Sequence, residues 1–495
     1  MIPTLTMVSD VVVIGAGTAG CLVARKLARG TTASVLLIEA GPDYGPLADE
    51  LWPPELLDSS TLPTSHDWGY TGPGAEGQTG WAFERAKVVG GCSAHNGCSQ
   101  TVGFGADYEQ WGLDWTRSEI EARLTSLNRA LQVRQYADDE LTPFQQGVME
   151  AMVQRGLPRT DDLDVLDGGV GCGPSPVNNP RGVRWNSGFA FLDEARSERT
   201  LRVLGRALVE RLEVEDGVVR RAVVRADGQL IVVEARHFVL CAGAYGSPEL
   251  LLRSGIGPAA ELAAVGISAA VDLPGVGRNL HDHPTLELRF APSELLLRQT
   301  ADFARTRPAP DEQVIAKADS LLGDGPYDLH LFPWTDPPST GLECVLPAAC
   351  LTPRSRGAVV LRTADPTVPA SIDHAYLRDA DGHDRAVLIR GRELWKEISS
   401  APGLSPLLGD RIPDAISGRG YRFAHYWHPV GTCAIGASPD SGAVADADGR
   451  VFGVENLRVL DAAAIPVVPR ATTNLPVLLL ADHLADRLVA ALGAA

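Results

Sequence analysis

Four hundred and ninety-five residues exceed one ordinary domain. With 45% apolar and 21% charged residues, the chain can bury a large core, which excludes disorder over most of its length. Forty-four Lys and Arg against 62 Asp and Glu leave a net charge of −18, so the average surface repels nucleic acid and anionic membranes; the excess reads first as solubility and second as attraction for a cationic substrate.

Met1 to Asp10 lacks the basic segment and long apolar run of a secretory signal. No window reaches the ~18 uninterrupted apolar residues of a membrane span. The stretch from Leu475 to Ala495 comes closest, but Asp482, His483, Asp486 and Arg487 interrupt it. A cytoplasmic protein is expected. Eight cysteines without a C-x-x-C pair suggest neither a disulfide framework nor a zinc knuckle, and no metal is expected. Cys21 and Cys241, in apolar segments, read as small core residues.

Asp10 to Ile14 is a β-rich run, Gly15 to Gly20 a tight turn, Cys21 to Ala28 a helix and Val35 to Ile38 a second buried strand: one βαβ unit. Residues 41–80, rich in Gly, Pro and Asp, read as a long excursion over the first domain. Helices are expected near 107–113, 117–132 and 140–155. Leu201 to Leu204, Val218 to Val224 and Leu230 to Val233 suggest antiparallel strands, the last two joined by an Asp227-Gly228 hairpin turn. His237 to Cys241 reads as a buried strand and Pro248 to Arg253 as a helix. From about 290 to 420 the pattern is mixed, with a strand at Val359 to Leu361 and a helix at Ala386 to Ile398. The parallel-sheet pattern returns at Leu457 to Asp461, before a last helix from Pro476. The nucleotide domain is therefore expected in three stretches, 1–140, 196–289 and 440–495. The second, substrate domain is expected at 141–195 and 290–439.

Gly15, Gly17 and Gly20 fit G-x-G-x-x-G after a strand and before a helix. The first permits the turn, the second lets backbone approach a pyrophosphate, the third lets helix and strand pack closely. Glu39, at a strand end, is placed to accept from a ribose and disfavours a 2′-phosphate. The motif alone does not choose between NAD and FAD.

Arg85 to Gly97, RAKVVGGCSAHNG, resembles the first signature of the glucose-methanol-choline (GMC) oxidoreductases, and Gly243 to Gly257, GAYGSPELLLRSGIG, the second. Pro274 to Pro284, His428 to Cys433 (HPVGTC) and Asn474-Leu475-Pro476 resemble further blocks of that family, in family order. The resemblance implies an α/β FAD-binding Rossmann-like domain, discontinuous in sequence. It adds an α+β substrate domain with an antiparallel sheet. It implies FAD as cofactor and oxidation of an alcohol to a carbonyl compound. It carries cofactor contacts onto Val89, Gly91, His95, Asn96, Val209, Asp461, Ala462 and Pro476. Around His95 the chain is most similar to choline oxidase-like members, in which this histidine holds FAD covalently; the alternative is a histidine hydrogen-bonded locally near the ring.

The base of the family maps onto His428 and its partner onto Asn474. Histidine titrates near working pH and suits the hydroxyl proton. Asparagine donates and accepts without titrating and suits the substrate oxygen. Flavin N5 takes the hydride. Tyr426 and Trp427 either wall the pocket or pack in the core, and His283 reads as structural. Tyr327 to Phe332 resembles a substrate-domain run in which Phe332 stands where relatives often carry a histidine, which makes the wall more apolar. Recognition of choline would want an acidic residue facing the cation, and no motif supplies one. Trp427 and Phe332 lean towards an apolar or aromatic alcohol. Three functions compete: an FAD-dependent alcohol oxidase or dehydrogenase, a hydroxynitrile-lyase-like member keeping flavin without redox turnover, and a non-catalytic flavin-fold protein. The partners expected are a small alcohol and O₂ or another electron acceptor. Which alcohol, which acceptor and which oligomer stay open.

Overall fold

The computed structural model describes residues 5–160, 162–163, 165–336, 342–414 and 420–493. Two large sheets organise them. The first is built on Leu5–Ile14 and Val35–Ile38, whose Val, Ile and Leu runs suit strands covered on both faces. They pair in parallel, Val11 opposite Val35, and the helix Thr18–Gly30 crosses between them. Gln229–Leu240 pairs in parallel with Leu5–Ile14, and Leu201–Leu204 pairs in parallel with Val35–Ile38. The antiparallel expectation for Leu201 to Leu204 is thus corrected. Four residues, three of them apolar, carry no information on strand direction, and the partner here is a strand far back in the sequence.

The other edge of Gln229–Leu240 is shared. Its first half pairs antiparallel with Val218–Ala226, which pairs in turn with Ala207–Glu215; its last residues pair in parallel with Leu457–Val459. At the hairpin, Asp227 and Gly228 both take positive φ, 47° and 79°, the turn geometry that matches strand twist. The last helix, Asn474–Gly493, packs on Thr18–Gly30, and Lys26 reaches Asp482 (2.5 Å) and Asp486 (2.7 Å). The two ends of the chain therefore close one unit.

The second sheet has eight strands and is antiparallel. Its order is Leu408–Ile412, Pro284–Pro292, Cys344–Cys350, Leu329–Leu331, Val314–Ala318 and Gly171–Pro174, with Trp334–Thr335 and Arg422–His425 added alongside. The boundary expected at 289 falls inside the strand Pro284–Pro292. Helix His383–Ser399 covers this sheet; Trp395 is buried and donates to the Pro347 carbonyl (2.8 Å).

The expected helices occur as Gly105–Glu109, Arg117–Ala130 and Pro143–Gln154. The last two are capped by Thr116 and Thr142, each cap stabilising by about 1 kcal/mol. Gly243–Arg253 begins earlier than the sequence suggests, because its glycine-rich first turn masks the helical pattern. No helix among the described residues is long and apolar enough to cross a membrane. All eight cysteines are free, seven of them buried, and burial pushes the Cys21 thiol up to about 12.

Candidate active site

Gly15 turns the chain at φ 98°. A Cβ there would lie 2.4 Å from the Cys241 oxygen, and one on Gly20 would lie 1.8 Å from the Gly15 oxygen, so both positions demand glycine. Gly17 faces Gly91: a Cβ on Gly91, whose φ is 53°, would lie 2.6 Å from the Gly17 Cα. Gly17 heads the helix Thr18–Gly30, whose first turn has neither a side-chain cap nor an acidic residue. Its N–H groups and dipole end are therefore available to a phosphate. Glu39 accepts from the Ala16 N–H (2.9 Å) and the Gly41 N–H (2.8 Å), and burial pushes its pKa up to about 7. The Ala207 N–H donates to the Glu39 carbonyl (2.8 Å), which brings the strand of Val209 to the same corner. Gly15, Gly17, Gly20, Glu39 and Val209 thus converge. Their glycine cradle, uncapped helix end and carboxylate fit the pyrophosphate and ribose of a dinucleotide.

The buried Val89 donates its N–H to the Pro42 carbonyl (3.1 Å). Gly90 and Gly91, both at positive φ, then lead to His95, whose Nε2 pairs with the Ser65 carbonyl (2.6 Å). Burial holds the His95 pKa below the usual value. Asn96 Oδ1 accepts from the Cys98 N–H (3.1 Å), and the Asn96 carbonyl accepts from the buried guanidinium of Arg184. Arg184 also holds the carbonyls of Asp58 and Thr61, each at 2.5 Å. One buried cation thus fastens the excursion to the His95 segment.

His428 follows the strand Arg422–His425. Its Nδ1 lies 3.0 Å from His283 Nδ1, and its N–H donates to Asp282 Oδ1 (2.8 Å). The same oxygen accepts the His283 N–H (2.7 Å), while Asp282 Oδ2 accepts the Tyr376 hydroxyl (2.8 Å). Asp282, its pKa pushed to about 6 by burial, clamps both histidine-bearing backbones. Trp427 sits at φ 59°, a left-handed conformation that costs about 1–2 kcal/mol in a residue with a Cβ. Arg85 holds its carbonyl (3.1 and 3.2 Å) and Glu84 its indole N–H (2.7 Å). Burial holds the His428 pKa well below the usual value, and the charges of His283, His330, Arg85 and His425 lower it further. The imidazole is therefore neutral near pH 7 and can accept a proton.

Asn474 opens the last helix. Its Oδ1 accepts from the Thr18 hydroxyl (3.0 Å) and its Nδ2 donates to Gln100 Oε1 (3.0 Å). The structure thus ties Asn474 to the nucleotide turn, and no hydrogen bond joins it to His428. Pro476 is buried in the same first turn. Asp461 accepts from the Gly243 N–H (2.7 Å), the Ser247 hydroxyl (2.6 Å) and the Ala463 N–H (2.8 Å). The neighbouring Ala462 carbonyl takes the Gly431 N–H (3.2 Å). The carbonyls of Ala462, Ala463 and Ala464 accept from Gly431, Cys433 and Ile435 and so hold the segment after His428, while Asp461 ties that turn to the helix Gly243–Arg253.

Phe332 stacks on Tyr426 at 4.0 Å, and Tyr426 lies 4.2 Å from His428. Trp334 is 6.0 Å from Phe332 and 6.3 Å from Trp427. Tyr426, left open between wall and core by the sequence, packs in a buried cluster with Phe332 and Tyr327 and also lies against His428. His283, read from sequence as structural, touches His428 directly. His330 was not singled out, yet it is fully buried with both ring nitrogens unpaired. Alternation along His330, Phe332 and Trp334 is the signal that could have shown it, because alternate strand residues share a face.

Two family models described as GMC oxidoreductase match residues 9–285 and 353–481. The chain is 30% identical to a 5-(hydroxymethyl)furfural oxidase of Methylovorus sp. (strain MP688), over 97% of this chain and 98% of the relative. It is 29% identical to a choline oxidase of Arthrobacter globiformis, over 96% and 93%. Among solved structures, pyridoxine 4-oxidase from Mesorbium loti superposes with a TM-score of 0.83 at 26% identity, covering 97% of this chain and 98% of that one. With the dinucleotide cradle and the buried histidine pair in place, these matches make the chain a member of the GMC oxidoreductase family, with FAD as its cofactor.

Proposed function

We propose that this oxidoreductase converts an alcohol to an aldehyde or ketone with His428 as the base. The observation that carries the reading is the buried, neutral His428 with its Nδ1 held by His283 (3.0 Å). We assign the His283 proton to its far nitrogen, Nε2, with the carbonyls of Pro469 and Leu351 acting on the ring electrostatically although Nε2 itself has no hydrogen-bond partner. Its Nδ1 is then the acceptor for the His428 Nδ1–H. That leaves the lone pair of His428 on Nε2, as a base requires.

FAD, when bound, supplies the hydride acceptor. His428 takes the hydroxyl proton at Nε2. Asn474 Nδ2 has a second N–H beyond the one given to Gln100, and we assign it to the substrate oxygen. Phe332, Tyr426 and Trp427 exclude water from the reacting bond. We assign the first sheet to FAD binding and the second to the substrate, and His95 to covalent attachment of the flavin. The 5-(hydroxymethyl)furfural oxidase, choline oxidase and pyridoxine 4-oxidase among the relatives support oxidation.

The test is anaerobic flavin bleaching by a panel of alcohols, followed by reoxidation with O₂ or an artificial acceptor. His428→Ala should slow reduction by roughly 10²–10⁴-fold. A holoenzyme that no alcohol reduces would overturn the reading.

A further inference from the structure

We propose that the enzyme holds a structural zinc ion on Cys350, His383 and Asp384, at the junction of the second sheet and the helix that covers it. None of the three residues belongs to the dinucleotide cradle or to the histidine pair.

Cys350 is the last residue of the strand Cys344–Cys350, and His383 and Asp384 open the helix His383–Ser399. Gly391 of that helix packs on Ala348, and alternate strand residues share a face, so Cys350 points to the helix side of the sheet. A sulfur, an imidazole nitrogen and a carboxylate oxygen meet there within 4.8 Å of one another. A single point therefore lies within about 2.8 Å of all three, and small side-chain rotations bring them to zinc bond lengths of about 2.0–2.3 Å. Cys350 and Asp384 are fully buried, and His383 is 8% exposed.

The donors are held but not occupied. Asp384 Oδ1 accepts the Arg354 N–H (2.7 Å) and Oδ2 the Ser355 N–H (3.0 Å), which aims the carboxylate and leaves a lone pair on each oxygen. No hydrogen bond or ion pair engages the His383 ring among the described residues. The charges that bear on the Cys350 sulfur are those of Asp384, Asp328 and Asp379, all acidic. The arginines nearby are engaged elsewhere: Arg354 pairs with Asp381, and Arg356 Nη1 donates to the carbonyls of Pro353 (2.7 Å) and Ser355 (3.0 Å).

A buried carboxylate beside a thiol and an imidazole, with no ion-pair partner, fits a divalent metal ion. Magnesium and calcium want oxygen ligands, whereas a thiolate and an imidazole select zinc. Three protein ligands leave one tetrahedral position. His383 and Thr352 also line a cavity of about 230 Å³, and Thr352 Oγ1 is buried without a partner. The cavity admits the ion and a water as fourth ligand, which the Thr352 hydroxyl is free to hold. Binding displaces the Cys350 thiol proton to solvent, so the ion meets a thiolate. It ties the end of the strand to the start of the helix. The donors come from two elements distant in sequence, so the expectation of no metal, drawn from the missing C-x-x-C pair, does not reach them.

The test uses the untagged, flavin-loaded enzyme, stripped of metal with a chelator and dialysed against Zn²⁺. Wild type should take up about one zinc per chain, and its Tm should rise by roughly 3–5 °C at saturating zinc. Co²⁺ in place of zinc should give a thiolate-to-cobalt charge-transfer band in the difference spectrum against the metal-free holoenzyme. Cys350→Ala and His383→Ala should each hold at least tenfold less zinc and lose the Tm rise, retained flavin showing that each variant folds. Cys350→Ala should also lose the cobalt band. Wild type that takes up no zinc, or variants that bind zinc as wild type does, would overturn the proposal. Where neither variant folds, the cobalt band decides on wild type: its presence supports thiolate ligation and its absence overturns it.

Discussion

His283 Nδ1 and His428 Nδ1 lie 3.0 Å apart, so one imidazole fixes which nitrogen of the other carries the proton. The two residues are far apart in sequence and meet because Asp282 accepts both of their backbone N–H groups.

His283→Leu removes the acceptor for the His428 Nδ1–H. Flavin reduction should slow by roughly 10–10³-fold with FAD content unchanged, because the base is left free to adopt the wrong tautomer. His283→Asn, whose carbonyl oxygen can accept the same proton, should recover part of the rate. Stopped-flow reduction at saturating alcohol checks both; equal rates for Leu and Asn would assign His283 to packing alone.

Gly91→Val places side-chain carbons where only 2.6 Å separates the ideal Cβ from the Gly17 Cα, at a φ of 53° that β-branched residues avoid. The purified protein should carry at least tenfold less FAD, read from the ratio of visible to 280 nm absorbance. A fully flavinylated Gly91→Val protein would show that the two glycines do not form the cradle.

Acid precipitation should leave the yellow colour in the pellet of wild type and release it from His95→Ala. In the structure Nε2 is paired with the Ser65 carbonyl, so attachment through that nitrogen requires the hydrogen bond to be given up. Colour in the wild-type supernatant would leave His95 as the local hydrogen-bonding residue the structure shows.

Burial raises Glu312 from 4.5 to about 8. Stability from its protonated form is complete below pH 4.5 and is lost as pH rises through 8. Glu312→Gln removes that loss, so in the absence of substrate the variant's Tm should exceed that of wild type by roughly 2–5 °C at pH 8.5 and converge with it near pH 5. Thermal melts across that range decide it; a pH-independent difference would place the carboxyl in contact with water.

Much of the nucleotide side was legible because its signals are local. The turn Gly15 to Gly20 needs glycines at fixed offsets, and the strands beside it are apolar runs. The type of hairpin at Asp227-Gly228 was likewise readable from two residues. Strand direction was not: Leu201–Leu204 is parallel because of Val35–Ile38, which four residues cannot announce. Nor did the sequence show that Asn474 bonds to Thr18 and Gln100, since that depends on where the first and last helices meet.

By itself the sequence determined the glycine cradle, the acid at the strand end, the family blocks and a histidine suited to act as base. The cradle and the acid are short-range patterns whose chemistry follows from residue type and spacing, whereas the role of the histidine is what the resemblance to the family implies. Only the tertiary structure decided that His283 faces His428, that Asp282 holds the backbones of both, and that Glu312 lies opposite Trp334. Those relationships arise where an antiparallel sheet sets distant strands side by side. Burial there removes the water that would otherwise solvate each polar group, so each group's chemistry is set by neighbours the sequence does not place beside it.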